Sequence, residues 1–133
     1  MGKSHKEMTL SKCVIAIVED DASFRRAVER LLRASGFETR TFASAEEFLR
    51  SDAPESHACL ILDLQLPGIS GFEFVEHLTA SAQALPAILI TAQDGESLRE
   101  RASRIPDSVY LRKPFVGAVL LEALRSMLKR GGS

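Results

Sequence analysis

The chain has 133 residues, 45% of them hydrophobic and 26% charged. That is enough for one domain with a real core, and too apolar for a disordered chain. Its 17 basic and 18 acidic residues leave a formal net charge of -1. No one-signed field points to nucleic acid or a membrane surface as a partner. No apolar stretch reaches the roughly 18 residues needed to cross a bilayer. The polar start, residues 1–12, is not a signal peptide and reads as a leader. Lys6 breaks the myristoylation pattern that Gly2 would open. The two cysteines, Cys13 and Cys59, lack CxxC or zinc spacing and read as buried thiols in a reducing compartment, so a cytoplasmic location is expected.

In chain order, "CVIAIV" (13–18) is a continuous apolar run, the pattern of a strand buried on both faces. From Ala22 to Ser35 the apolar residues Phe24, Ala27, Val28, Leu31 and Leu32 have helical spacing, and Gly36 ends that helix. "FETRTF" (37–42) alternates like a strand. Ser44 and Glu47 form a capping box for a short helix over 44–49. "ACLILDL" (58–64) and "LPAILIT" (85–91) are two more buried strands, separated by a short helix over 71–80. An Arg-rich helix over 97–105, a strand "SVYLR" (108–112) and a helix over 115–129 complete the chain, with Gly131 and Gly132 ending it.

Five βα units in succession predict an α/β fold with a parallel sheet, helices on both faces and right-handed crossovers. In such sheets the functional crevice lies at the carboxyl ends of the strands. The residues placed there are Glu19, Asp20 and Asp21, then Asp63, then Thr91 and Ala92, then Lys113 and Pro114. Taken singly, each has a plain reading: Asp63 as a turn residue, the acid run as a helix start, Thr91 as an N-cap, Lys113 as a solvated lysine. Together, on one sheet edge, they form a site. Clustered carboxylates repel one another unless a proton or a hard cation intervenes. Mg²⁺ takes oxygen ligands of this kind, with Mn²⁺ as a substitute. A lysine and a hydroxyl beside such an ion suit a phosphoryl group carried on an aspartate.

The pieces "IVEDD", "LILDLQLPGISG", "ILITAQ" and "YLRKPF" resemble, in order and separation, the receiver domain of two-component response regulators. Thr91 lies 28 residues and Lys113 lies 50 residues after Asp63. The resemblance covers residues 13–129 and is nearest to the FixJ-like branch, whose receivers precede a LuxR/NarL-type DNA-binding domain. It implies a flavodoxin-like (βα)5 fold with strand order 2-1-3-4-5, a leader at 1–12, a receiver domain at 13–130 and a tail at 131–133. It further implies Asp63 as phosphoacceptor, with Asp20, Asp63 and the backbone carbonyl of Gln65 as direct metal ligands. Glu19 is then the other member of the acidic pair, chosen over Asp20–Asp21 because that register keeps Arg25 and the helix in place. Lys113 would meet the phosphoryl oxygens after a cis Lys113–Pro114 bond. Thr91 and Tyr110 would be the switch pair, and the small Ala92 would leave access to the site.

The implied partners are a sensor histidine kinase or a phosphotransfer protein docking beside the first helix. A second copy of the chain or another partner would dock on the face of the fourth helix, fifth strand and fifth helix, where Arg99, Arg101 and Arg104 are placed. A solvated helix face is the equal alternative for those arginines. The domain is not expected to contact nucleic acid or membrane, and the sequence reads either as a stand-alone receiver or as a piece of a longer DNA-binding regulator. It is not a classical enzyme, but would catalyse its own phosphoryl transfer and autodephosphorylation. The segment "SRIPDSVYLRKPF" departs from the small-residue pattern usual before the fifth strand. The competing reading is a degenerate receiver, a phosphorylation-independent interaction module. A haloacid-dehalogenase-type phosphatase is disfavoured because Gln65 stands where a second Asp is needed. A flavodoxin-like cofactor binder is disfavoured because no Gly-rich loop follows the first strand.

Overall fold

A computed structural model describes residues 14–51, 57–66, 68–80, 85–93 and 95–131. The leader, Cys13, Pro67 and the last two residues of the tail lie outside the described residues. Five strands form one parallel sheet: β1 (Val14–Val18), β2 (Glu38–Phe42), β3 (Cys59–Asp63), β4 (Ala87–Thr91) and β5 (Ser108–Arg112). Their order is β2-β1-β3-β4-β5, the flavodoxin-like arrangement that the resemblance implies; the alternating pattern by itself gave the parallel sheet. Five helices connect or follow them: α1 (Ala22–Ala34), α2 (Ala45–Arg50), α3 (Gly71–Ala80), α4 (Glu96–Ser103) and α5 (Gly117–Gly131).

The two faces of the sheet explain the apolar runs. Successive strand residues point to opposite faces. Ala16, Val18, Leu60, Leu62 and Leu89 pack with Phe48 of α2, Phe74 and Leu78 of α3 and Ala102 of α4. Ile15, Ile17, Cys59, Ile61, Ile88 and Ile90 pack with Val28 and Leu32 of α1 and with Leu120, Leu124 and Met127 of α5. β3 and β4 are buried at every position, so their sequence cannot alternate. Each edge strand is partly exposed, and β2 therefore does alternate. Cys59 is fully buried, and that burial pushes its thiol up to about 12.

Local chemistry fixes the ends. The Asp21 carboxylate accepts from the N–H groups of Ser23 (2.9 Å) and Phe24 (3.2 Å) and caps α1. Gly36, just past that helix, has φ +93, a conformation that favours glycine. Ser44 caps α2 through the Glu47 N–H, but Glu47 reaches back to the N–H of Ala43, one residue before the cap position. The helix expected over 97–105 runs from Glu96 to Ser103, and the one expected from Phe115 begins at Gly117. Asp107, in the unusual segment before β5, sits at φ 52, where a short polar side chain is tolerated. Its carbonyl accepts from the Ala87 N–H at 2.9 Å, so the segment is tied to the start of β4. No helix among the described residues is long and apolar enough to cross a membrane.

Candidate functional site

The strand ends deliver the predicted residues to one edge. β1 and β3 pair in register, Val18 opposite Leu62, so Glu19 and Asp63 both emerge at the end of that pairing. Glu19 is 2% and Asp63 6% exposed, while Asp20 is exposed. Carboxylate oxygens of Glu19, Asp20 and Asp63 all lie within 4.8 Å of one another. The loop that carries the acids is held by its backbone. The Glu19 N–H donates to the Phe42 carbonyl at 3.0 Å, and Arg25 Nη1 donates to the Glu19 carbonyl at 2.7 Å. The Asp21 N–H donates to Glu19 Oε2 at 3.1 Å. Asp21 itself caps α1.

Lys113 emerges beyond β5, its N–H donating to the Thr91 carbonyl at 2.8 Å, and the Lys113–Pro114 bond is cis. Its ammonium donates to Glu19 Oε1 at 3.0 Å and to Asp63 Oδ2 at 3.4 Å. The Phe24 ring centroid lies 4.1 Å from the same nitrogen.

One lysine does not balance three carboxylates. Burial raises the Glu19 carboxyl to about 7, and the neighbouring Asp63 adds to that rise. Hydrogen bonds from the Asp21 N–H and Lys113 pull the other way without cancelling it. For Lys113, burial would lower its pKa, but the bonds and charges of Glu19 and Asp63 raise it overall. A cluster of hard oxygen donors in which one carboxyl is driven to keep its proton suits a divalent cation.

Thr91 is fully buried at the end of β4, and its hydroxyl accepts from the Gln93 N–H at 3.1 Å. Tyr110 is not part of the carboxylate cluster; its hydroxyl donates to the Gln93 carbonyl at 3.2 Å. Gln93 thus joins the two switch candidates, a link that the sequence reading missed. Gln65 donates its backbone N–H to Asp63 Oδ1 at 2.8 Å, and its side-chain oxygen accepts from the Ala92 N–H at 3.3 Å. Ala92 is exposed.

The loop after β3 is closed by a reciprocal cap: Ser70 Oγ accepts from the Glu73 N–H and Glu73 Oε1 from the Ser70 N–H, both at 3.2 Å. The S-x-x-E spacing could have found it. The same loop is held to α2, where Glu46 Oε2 accepts from the Ile69 N–H at 3.4 Å.

The arginines expected on one face divide. Arg99 lines a groove of about 420 Å³ with Tyr110 and Arg112. Arg101 instead turns to α3, pairing with Glu76 at 3.0 Å and lying 4.5 Å over the Phe72 ring. The expectation that it serves the face of α4, β5 and α5 is corrected by those contacts. Arg104 pairs with Glu100 of its own helix at 3.0 Å, both side chains exposed.

The family model described as the response regulator receiver domain matches residues 15–125. Nodulation protein W of Bradyrhizobium diazoefficiens is 36% identical over 120 residues, 90% of this chain and 53% of that protein. Transcriptional regulatory protein FixJ of Azorhizobium caulinodans is 30% identical over 116 residues, 87% of this chain and 55% of that protein. The chain therefore spans about half the length of these curated relatives. Among solved structures, response regulator StyR is 40% identical with a TM-score of 0.80, covering 87% of this chain and 59% of that one.

Proposed function

This chain belongs to the response regulator receiver family, and on that premise we propose that Asp63 accepts a phosphoryl group and so switches an interaction face. Receiver domains of two-component systems are phosphorylated on an aspartate and bind Mg²⁺ at an acidic pocket. The observation that carries the residue assignment is the placement of Asp63. It ends a fully buried strand beside two further acids, with the Lys113 ammonium 3.4 Å from its carboxylate. A rigid strand under a reactive carboxylate provides positional precision.

In the proposed transfer, an Asp63 oxygen forms the new O–P bond while the donor's bond to phosphorus breaks. The bonding electron pair leaves with the donor, a phosphohistidine of a sensor kinase or phosphotransfer protein. Glu19, Asp20 and Asp63 would hold Mg²⁺ or Mn²⁺ together with the backbone carbonyl of Gln65. That cation, when bound, offsets charge on the phosphoryl oxygens. Lys113 gives its ammonium to the phosphoryl oxygens, adding charge stabilisation. Thr91 releases the Gln93 N–H and turns its hydroxyl to the new group, leaving Gln93 free to shift. Tyr110, bonded to the Gln93 carbonyl, reads that shift at the face of α4, β5 and α5.

Intact mass after incubation with acetyl phosphate and Mg²⁺ tests the reading. A gain of one phosphoryl group in the wild type, absent in Asp63→Asn, is expected. No gain and no Mg²⁺ binding would instead make the domain a phosphorylation-independent interaction module.

A further inference from the structure

Among the described residues, three groups surround the Lys113 ammonium. Two are carboxylates, Glu19 at 3.0 Å and Asp63 at 3.4 Å. The third is the face of the Phe24 ring, 4.1 Å from the nitrogen to the centroid. Phe24 is not part of the motif that identifies the site, and its place is well fixed. Its own N–H is held by the Asp21 cap. Its ring meets Phe115 edge to face, centroids 5.9 Å apart and planes at 86°. Phe115 follows Pro114 directly, so the two rings bracket the segment that carries the lysine.

An aromatic face attracts a cation through its quadrupole and accepts no strong hydrogen bond in return. The carboxylates cannot offer that combination. Glu19 and Asp63 bind the ammonium strongly, but both are also the acids assigned to the reaction. Whatever engages them releases the lysine. The lysine stem has many rotamers, and a released ammonium would be drawn to water. The ring keeps a weak, fixed hold from the side that the chemistry does not use.

We propose that Phe24 is a positioning residue for Lys113: its ring face holds the ammonium over the Asp63 carboxylate, so that the lysine meets the incoming phosphoryl group without a rotamer search. The proposal rests on the reading of Asp63 as phosphoacceptor. It assigns Phe24 no contact with the reacting atoms.

Two measurements on the whole chain test it. The first is the phosphorylation rate with acetyl phosphate for Phe24 replaced by leucine, by tyrosine, and by phenylalanines of rising fluorine content. Fluorination drains the negative ring face at nearly constant shape. The rate is expected to fall roughly 2- to 30-fold in Phe24→Leu, to return in Phe24→Tyr, and to decline stepwise with fluorine. A rate insensitive to fluorine, or equal losses in the leucine and tyrosine variants at unchanged melting temperature, would overturn the proposal. The second is the NMR shift of the Lys113 side-chain methylenes in the unphosphorylated protein. An upfield ring-current shift that disappears in Phe24→Leu and stays in Phe24→Tyr is expected. Its absence in the wild type would overturn the contact itself. Failure of the wild type to take up any phosphoryl group, with the ring-current shift intact, would overturn the functional reading and the positioning role together.

Discussion

Replacing Gly71 by alanine tests how tightly the site's floor is built. Gly71 opens α3, and its N–H donates to the Leu64 carbonyl at 3.2 Å. A Cβ there would stand 2.5 Å from Leu64 Cα and 2.8 Å from the Asp63 carbonyl oxygen. Both are backbone atoms, so no rotamer change relieves the clash. Restoring ordinary contact needs α3 to retreat by about 1 Å. That motion loosens Phe72, Phe74, Val75 and Leu78, all buried against the sheet. Overpacking of this kind costs roughly 1–3 kcal/mol, and the upper end is expected because neither the strand nor the helix can yield singly. Urea titration should show a lower midpoint at unchanged slope. Gly95→Ser is the control. A Cβ at Gly95 meets nothing within 4 Å, its φ of 171 is ordinary extended backbone, and it caps α4 without a side chain. Serine there should stabilise by a few tenths of a kcal/mol. A Gly71→Ala protein as stable as the wild type would refute the reasoning that glycine at this position serves close approach.

Three further outcomes follow from the electrostatics and burial. Glu19, raised from 4.5 to about 7 by burial and Asp63, keeps a proton in the folded state that the unfolded chain has released. Its contribution is therefore full below pH 4.5 and fades as pH rises to about 7, a loss of about 3 kcal/mol. Glu19→Gln should remove that part of the slope in metal-free denaturation curves; an unchanged slope would place the titration elsewhere. Lys113→Met leaves Glu19 facing Asp63 with no cation, and should destabilise by about 1–3 kcal/mol at pH 8. The loss should shrink at pH 5, where Glu19 takes up its proton; an equal loss at both pH values would contradict the pairing. Cys59, fully buried with its thiol at about 12, should resist alkylation at pH 8 in the native protein and react only on unfolding, as peptide mapping would reveal.

The sheet was legible because β1, β3 and β4 are buried on both faces and carry unbroken apolar runs. Glu19, Asp63 and Thr91 could be placed because each stands one residue beyond, or at, the end of such a run, whereas Lys113 follows the partly exposed β5. Helix ends were less legible. Phe115 and Val116 continue the apolar spacing of α5, yet they lie between the cis Lys113–Pro114 bond and the first helical residue, Gly117. The phase of α4 was not legible either. Its buried face rests on Ala102 with Leu98 half-buried, too little apolar surface to fix which way Arg101 turns. Gly71 and Phe24 act through neighbours brought close only by folding, Leu64 and Lys113 respectively. No local pattern announces such contacts. Gln93 likewise became visible as the link between Thr91 and Tyr110 only once both hydrogen bonds were placed.

In the proposed function the carboxylate at the end of β3 carries the phosphoryl group. An acyl phosphate reacts with hydroxylamine to leave a hydroxamate on the residue that bore it. After treatment with acetyl phosphate and Mg²⁺, then hydroxylamine, peptide mapping should find the hydroxamate on Asp63 alone. A hydroxamate on Asp20 or Glu19, or phosphate resistant to hydroxylamine, would contradict the account.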